Sequence, residues 1–186
     1  MIPFLFYLCI MKRLVLIILA IFPMLSACTK KEATRTSGID TIDNITYFST
    51  TYYLYGFSFS AAKLVATTTN PGPDITIYVN VDNVTPRLTL QANNLKPSFY
   101  KLGDYPDETA AKAAFDNLKT VSVTLWQDMA DPIEANQVWI FRSGTDNYAK
   151  LRIASTINEV RQSVNYGECT FQWVYQADGS LTFPGK

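Results

Sequence analysis

A two-residue alternation of side chains runs through most of the chain and limits what it can fold into. Aromatic residues occupy every second position from Tyr53 to Phe59, and Asp74 to Asn80 repeats the alternation with aliphatic residues. Successive side chains of an extended strand point to opposite faces, so this period is typical of strands with one buried face. The alternation therefore predicts a domain built mainly of antiparallel β-strands.

A hairpin is predicted in the C-terminal third. Val138 to Phe141 and Tyr148 to Ile153 are apolar, alternating segments separated by a polar turn. In the second arm the alternation points Ala, Leu and Ile side chains inward and places Lys150 and Arg152 in solvent.

A second hairpin is predicted at the C-terminus. Asp178-Gly179 is a favoured type I′ turn dipeptide and is expected to join strands over residues 168–176 and 180–183. Leu64 to Thr69 is rich in β-branched residues and is expected to return beside the strand of alternating aromatics, whereas Arg87 to Ala92 and Val121 to Trp126 repeat the alternating pattern.

One segment has helical character. Pro106, Asp107 and Glu108 provide the chemistry of a helix start, with proline early and acids near the positive end of the helix dipole. Residues 110–118 follow with high helix propensity and a single apolar stripe. The sequence thus predicts an α+β class that is mostly antiparallel β, a single β-rich domain with one clear helix near residues 106–118.

The N-terminus has the features of an export signal. Lys12 and Arg13 precede an apolar run from Leu14 to Ala27, whose 14 residues fall short of the roughly 20 needed to span a bilayer. A basic start, an apolar stretch and small residues at its end are typical of a secretory signal rather than a membrane anchor. We therefore predict a signal peptide over residues 1–27, with translation starting at Met11.

The end of this segment resembles the lipobox of bacterial lipoproteins. Leu25-Ser26-Ala27 is followed directly by Cys28, whose thiol is the nucleophile that lipid attachment needs. The resemblance implies that Cys28 is lipidated and that the protein is exported and anchored in the cell envelope, with the outer membrane as the expected site. Residues 28–43, polar and poor in apolar side chains, are predicted to be a tether to a domain over residues 44–186.

Composition excludes several functions. The chain carries 16 basic and 16 acidic residues and no histidine. Neutral charge argues against nucleic acid as a partner, and the lack of imidazole excludes His-dependent triads and bis-His haem ligation. Three cysteines are too few for a disulfide framework, and Cys169 is expected to be buried.

Aromatic residues are concentrated between Tyr47 and Phe59, where seven occur. They could form a platform for sugar rings, haem or another flat apolar ligand, with Tyr53, Tyr55 and Phe57 as contacts. The alternative, which the composition favours, is a core strand with a tyrosine-rich edge.

A second aromatic series lies near the C-terminus. Cys169, Phe171, Trp173 and Tyr175 fall on one strand face and are predicted to belong to the core.

Catalysis has little support in the sequence. Without histidine, a hydroxyl nucleophile would need another base, and no such motif is present. Carboxylates such as Asp74, Glu134 and Glu168 are scattered and are expected to be solvated surface groups rather than a catalytic pair. We therefore expect no enzymatic activity and no catalytic or metal-binding residues.

The C-terminal third resembles the HmuY-type lipoproteins of Bacteroidetes. The resemblance rests on Val138 to Arg142, Asp146 to Ile153 and Phe171 to Ser180. It implies a mostly β, membrane-anchored fold used for haem capture. The chain departs from this pattern because the histidine ligands are absent, so haem would have to use Met129 with a tyrosine. We expect no bound cofactor, with a small apolar or tetrapyrrole ligand as the candidate partner.

Two functions follow. The first is a non-enzymatic ligand-binding or scaffolding lipoprotein with an HmuY-like fold, and the alternative is a lipid-anchored hydrolase of envelope or polysaccharide substrates. A pocket lined by aromatic residues and without convergent carboxylates favours the first, whereas two carboxylates about 5–10 Å apart in a cleft favour the second.

Overall fold

This computed structural model describes residues 34–81 and 85–183, which contain twelve β-strands and one α-helix. The predicted signal peptide, the start at Met11 and the lipidation site Cys28 lie outside these residues. The elements in chain order are β1 (Ser37–Asp43), β2 (Tyr47–Phe48), β3 (Tyr52–Tyr53), β4 (Tyr55–Ser58), β5 (Lys63–Ala66), β6 (Ile75–Asn80), β7 (Arg87–Ala92), β8 (Phe99–Asp104), α1 (Glu108–Asn117), β9 (Met129–Ala130), β10 (Gln137–Arg142), β11 (Tyr148–Arg161) and β12 (Val164–Gln176).

The strands pair antiparallel, which confirms the prediction of a mostly antiparallel β domain. Sheet I has the order β1-β12-β11-β10-β8, and sheet II has the order β5-β4-β6-β7-β9. The short strands β2 and β3 form a separate two-stranded ribbon. The hairpin of β10 and β11, the return of β5 beside β4, and strands β6 and β7 all agree with the sequence pattern.

The main core lies between the two sheets and is rich in aromatic rings. Phe57 of sheet II contacts Phe171 and Trp173 of sheet I, with ring centroids 5.4 and 5.2 Å apart. Cys169 shares this buried face, as predicted. Burying rings of this size removes a large apolar area from water, at about 25 cal/mol per Å².

The opposite face of sheet I is also covered, because helix α1 packs on it. The Asp107 side chain accepts a hydrogen bond from the Ala110 N–H at 2.8 Å, which caps the helix start as the sequence predicted. Phe115 of α1 is buried against Val138 and Ile140 of β10. Both faces of sheet I are therefore buried where α1 packs on β10 and the first part of β11.

This cover makes the predicted exposure of Lys150 and Arg152 wrong, since the two residues are only 2% and 4% exposed. The Lys150 ammonium donates to helix carbonyl oxygens, while the Arg152 Nε donates to the Gln172 Oε1 at 3.0 Å. Alternation in β11 is real, but its polar face meets α1 instead of water.

Strand β1 corrects the predicted tether of residues 28–43. Ser37–Asp43 pairs with β12 over its full length, from Ser37 opposite Val174 to Asp43 opposite Glu168. Ile42 is 2% exposed and belongs to the core. The residues from Thr34 onward form one compact unit, so the fold begins before residue 44.

Two predicted strands near the C-terminus are wrong. Residues 121–126 have no strand pairing, and 180–183 do not form a hairpin with β12. The edge of β12 is occupied by β1, so the final segment turns away, and Thr182 instead forms a bridge with Thr120.

In the part of the chain that is described, no helix is long and apolar enough to cross a membrane.

Candidate functional site

A polar pocket of about 380 Å³ lies where the loops at one end of both sheets meet. The loops that follow β5, β7 and β10 contribute to it, together with the last residues of β4 and β12. Most of its lining residues carry a hydroxyl or amide group. The lining residues are Ser58, Ser60, Pro71, Gly72, Pro73, Asp74, Asn93, Asn94, Ser143, Gly144, Thr145, Asn147 and Tyr175.

Asp74 is the carboxylate of this lining and is held firmly. Its Oδ2 accepts a hydrogen bond from the Phe59 N–H at 2.7 Å, and its backbone N–H donates to the Phe57 carbonyl oxygen at 2.9 Å. Burial raises the pKa of Asp74, although hydrogen bonds from Phe59, Ser58 and Ser60 oppose the shift. The prediction that Asp74 is a solvated surface carboxylate is therefore wrong.

Tyr175 places a phenol at the end of β12 beside this carboxylate. Its ring stacks on Phe59 at 6.2 Å between centroids, which ties the pocket to the core. Burial raises the pKa of Tyr175; the negative field of Asp74 adds to this, while a hydrogen bond with Asn147 opposes it. A neutral phenol that can donate or accept thus faces the pocket.

The turn between β10 and β11 forms another wall and is internally braced. The Ser143 N–H donates to the Asn147 carbonyl oxygen at 2.8 Å, and the Asn147 N–H donates to the Ser143 Oγ at 3.1 Å. Asp146 adopts a φ of 58°, a left-handed conformation that Asp tolerates in turns. Lys96 pairs with Asp146 at 2.9 Å and lowers the pKa of that carboxyl.

The lining can form many hydrogen bonds but offers little for catalysis. Asp74 is its one acidic residue, and lysine and arginine are absent from it. Within the described residues, no group of three or more Cys, Asp or Glu side chains could hold a metal ion. An arrangement of this kind can bind and orient a polar ligand, whereas acid–base cleavage by paired carboxylates has no second group here.

The candidate contacts predicted from sequence do not form one site. Tyr53 and Tyr55 lie on the surface in and beside the β2–β3 ribbon, whereas Phe57 is 0% exposed and belongs to the core. The aromatic segment is thus divided, with Phe57 and Phe59 in the core and Phe48 and the tyrosines at the surface. Met129 lies in β9, separated from β4 by β6 and β7 in sheet II.

Met129 is half-buried and already engaged. The Tyr78 hydroxyl donates a hydrogen bond to its sulfur at 2.9 Å. Strand β9 pairs with β7, and Met129 lies opposite Gln91.

The pocket was missed because its residues are far apart in sequence. Asp74 directly follows the turn Asn70-Pro71-Gly72-Pro73, and Ser143 opens the turn after β10. Each of these sequence patterns predicts a turn but does not indicate a pocket. Only the pairing of the strands brings these turns to the same end of the fold.

Comparison with known proteins adds no relative: neither a scan against protein-family models nor a search of curated proteins finds a match.

Proposed function

We propose that this chain is a non-enzymatic ligand-binding module, exported and held at the outer membrane by a lipid on Cys28, and that its ligand occupies the pocket at Asp74. The observation that carries the proposal is the lining, which combines several hydroxyl and amide groups with one carboxylate and one phenol. Converging hydrogen-bonding groups in a preformed concave site are what a small polar ligand requires.

The charge of the lining selects the class of ligand. An anionic group in the pocket would face Asp74 with no lysine or arginine in the lining to neutralise it. An uncharged or positively charged polar molecule would instead gain hydrogen bonds from Ser143, Asn147 and Tyr175. We therefore propose a small, non-anionic, hydroxyl- or amine-bearing ligand.

The α+β assignment and the HmuY-like relationship belong to this proposal. The segments that carry the resemblance form β10, the first part of β11 and the end of β12, three neighbouring strands of sheet I. Haem is not the proposed ligand, because a dianionic tetrapyrrole matches neither the polarity nor the charge of the pocket.

The alternative of a lipid-anchored hydrolase has less support. It would need a second carboxylate across the pocket from Asp74, and the lining offers none. A scaffolding role without a ligand would assign no part to the pocket.

Thermal unfolding with a panel of small ligands tests the proposal. The purified protein is heated with monosaccharides, amino sugars, polyols and primary amines, one at a time. We expect at least one to raise Tm in a concentration-dependent way, with affinity reduced about tenfold or more in Asp74→Asn. Asp128→Asn, a change at an exposed carboxylate outside the pocket, serves as the control. If no compound stabilises the protein, or if Asp74→Asn binds as well as the native chain, the pocket is not the binding site.

Lipid attachment is tested separately in cells. Radioactive palmitate should label the native protein, and Cys28→Ser should remain unlabelled and uncleaved because serine lacks the required sulfur nucleophile. Labelling of the Cys28→Ser protein would refute the anchor without affecting the pocket.

A further inference from the structure

Five aromatic residues lie on the surface in and beside the β2–β3 ribbon, at the other end of β4 from the pocket. We call residues 47–55 the tyrosine hairpin. Four of its aromatic side chains are exposed by 37% or more, and Phe48 and Tyr52 reach 68% and 75%. The five residues are Tyr47, Phe48, Tyr52, Tyr53 and Tyr55.

The rings of the hairpin pack mainly on one another. Tyr47 stacks on Tyr53 with centroids 5.7 Å apart and an interplanar angle of 24°, and Tyr55 meets both edge-on at 5.4 and 5.6 Å. Phe48 contacts Tyr52 at 4.9 Å. Rings fixed in this way lose little rotamer freedom on binding, so they form a preorganised platform. Exposed aromatic patches of this kind mark binding surfaces.

The platform is uncharged and rich in hydroxyl groups. The sequence contains no Asp, Glu, Lys or Arg between Asp43 and Lys63. Arg161, which lines a groove with Ile45 and Thr46 at the base of the hairpin, is paired with Glu159 at 2.5 Å. Such a surface offers nothing to neutralise a phosphate or carboxylate, which argues against nucleic acid, haem propionates and other anionic ligands.

We infer that the tyrosine hairpin is a second binding surface, whose ligand is an uncharged polysaccharide. A pyranose ring has an apolar C–H face that packs on an aromatic ring and a rim of hydroxyls that need hydrogen-bond partners. The hairpin supplies both, because the ring of Tyr47 is 40% exposed and is held in place by stacking on Tyr53, and the tyrosine, serine and threonine residues of the hairpin carry hydroxyls. Several neighbouring rings offer more contact to a chain of sugars than to a single one.

The hairpin lies at the far end of β1 from the place where the described chain enters the fold. The chain enters the fold beside the pocket, where the Tyr175 N–H donates to the Thr36 carbonyl oxygen at 2.7 Å. Strand β1 then runs seven residues, or about 23 Å, before the hairpin begins.

Affinity electrophoresis of the full chain in detergent tests this inference. Native gels are cast with dextran, soluble starch, barley β-glucan, xylan or mannan, and retardation is measured against a gel without polysaccharide. We expect retardation by at least one polymer, weakened about tenfold or more in Tyr47→Ala and Tyr53→Ala. Tyr53→Phe, which keeps the ring, should retain most of the binding, and Leu125→Ala, at an exposed apolar residue elsewhere, should retain all of it.

Several outcomes would overturn the inference. The first is that none of the five polymers retards the protein, and the second is that the alanine variants are retarded as much as the native chain. The third is that the hairpin binds phosphatidylethanolamine–phosphatidylglycerol vesicles or a second copy of the chain instead of a polysaccharide. The variant Asp74→Asn separates this site from the pocket. Loss of polysaccharide binding in Asp74→Asn, with the hairpin variants unaffected, would support the proposed function and refute the hairpin.

Discussion

The Lys150 ammonium group lies 2.7 Å from the carbonyl oxygen of Phe115, in the last turn of α1. It also donates to the Leu118 carbonyl oxygen at 3.0 Å. A lysine from the centre of sheet I thus satisfies acceptors that the end of a helix leaves unpaired, and its positive charge complements the helix dipole. The contact fixes the helix to the sheet.

Replacing this lysine should destabilise the fold. Lys150→Met keeps most of the side-chain volume but leaves the two helix carbonyl oxygens without this donor, at a cost of about 1–3 kcal/mol in the free energy of unfolding. Lys112→Met, on the exposed side of the same helix, should change it by less than about 0.5 kcal/mol. Urea unfolding followed by circular dichroism measures both. Equal stability of Lys150→Met and the native chain would show that the contact is dispensable.

Strand β1 offers a matched pair of isoleucines. Ile42 is 2% exposed and Ile39, on the same strand, is 60% exposed. Ile42→Ala should lower the free energy of unfolding by about 2–5 kcal/mol because it opens a cavity in the core. Ile39→Ala should stay within about 0.5 kcal/mol of the native value. Similar, small effects of both changes would mean that residues 37–43 are a tether after all.

The sequence predicts the strands well where a single buried face sets a clear period. Strand β7 begins and ends at the predicted residues, and the helix is close to its predicted bounds, because local propensity and burial agree there. The failures arise from tertiary contacts. Lys150 looks solvent-exposed until α1 is placed over it, and β1 looks like a linker because most of its residues are polar and one of its faces stays open.

The candidate site was less predictable than the fold. A hydrophobic pattern identifies a strand, but it does not tell which turns meet at the same end of two sheets. Asp74 and Asn147 are each ordinary turn residues in sequence, and only the antiparallel order of the strands makes them neighbours of one pocket. The sequence shows the tyrosines as a group, but it does not show that they lie at the surface while Phe57 is buried in the core.

Asp74 should make stability depend on pH in a defined direction. Its pKa is higher in the folded state than in the unfolded chain, where it is near 3.8. The stabilising contribution of the protonated group is therefore complete below about pH 4 and is lost as pH rises through the folded-state value. As pH rises from 3 to 7, the stability of Asp74→Asn relative to that of the native chain should therefore increase. Urea unfolding at several pH values measures the difference.

Asp146 provides the control of opposite sign. Its pKa is lowered by Lys96, so its contribution is present above the unfolded value and disappears as pH falls. Asp146→Asn should lose stability relative to the native chain over the same rise in pH. If both variants respond alike, burial of Asp74 is not the cause.

Cys169 should be chemically inert in the native protein. Its side chain is 0% exposed, and burial raises the pKa of its thiol far above the usual range, so almost no thiolate forms at neutral pH. Iodoacetamide at pH 8 should leave Cys169 unmodified in the native chain and modify it fully in 8 M urea, as followed by peptide mass spectrometry. Rapid native modification would show that the sheets open around β12.

Haem should bind weakly or not at all. Six-coordinate haem needs two strong axial ligands, and the chain has no histidine to supply them. Met129 could offer a thioether, but the Tyr78 hydroxyl already donates a hydrogen bond to its sulfur. Tyr55 lies in β4, which β6 and β7 separate from β9, and Tyr53 lies in the β2–β3 ribbon. Titration of the purified protein with micromolar haemin should give no sharp Soret shift, and Met129→Ala should behave like the native chain. A sharp shift in the native chain that Met129→Ala abolishes would refute this prediction and support haem capture as the function.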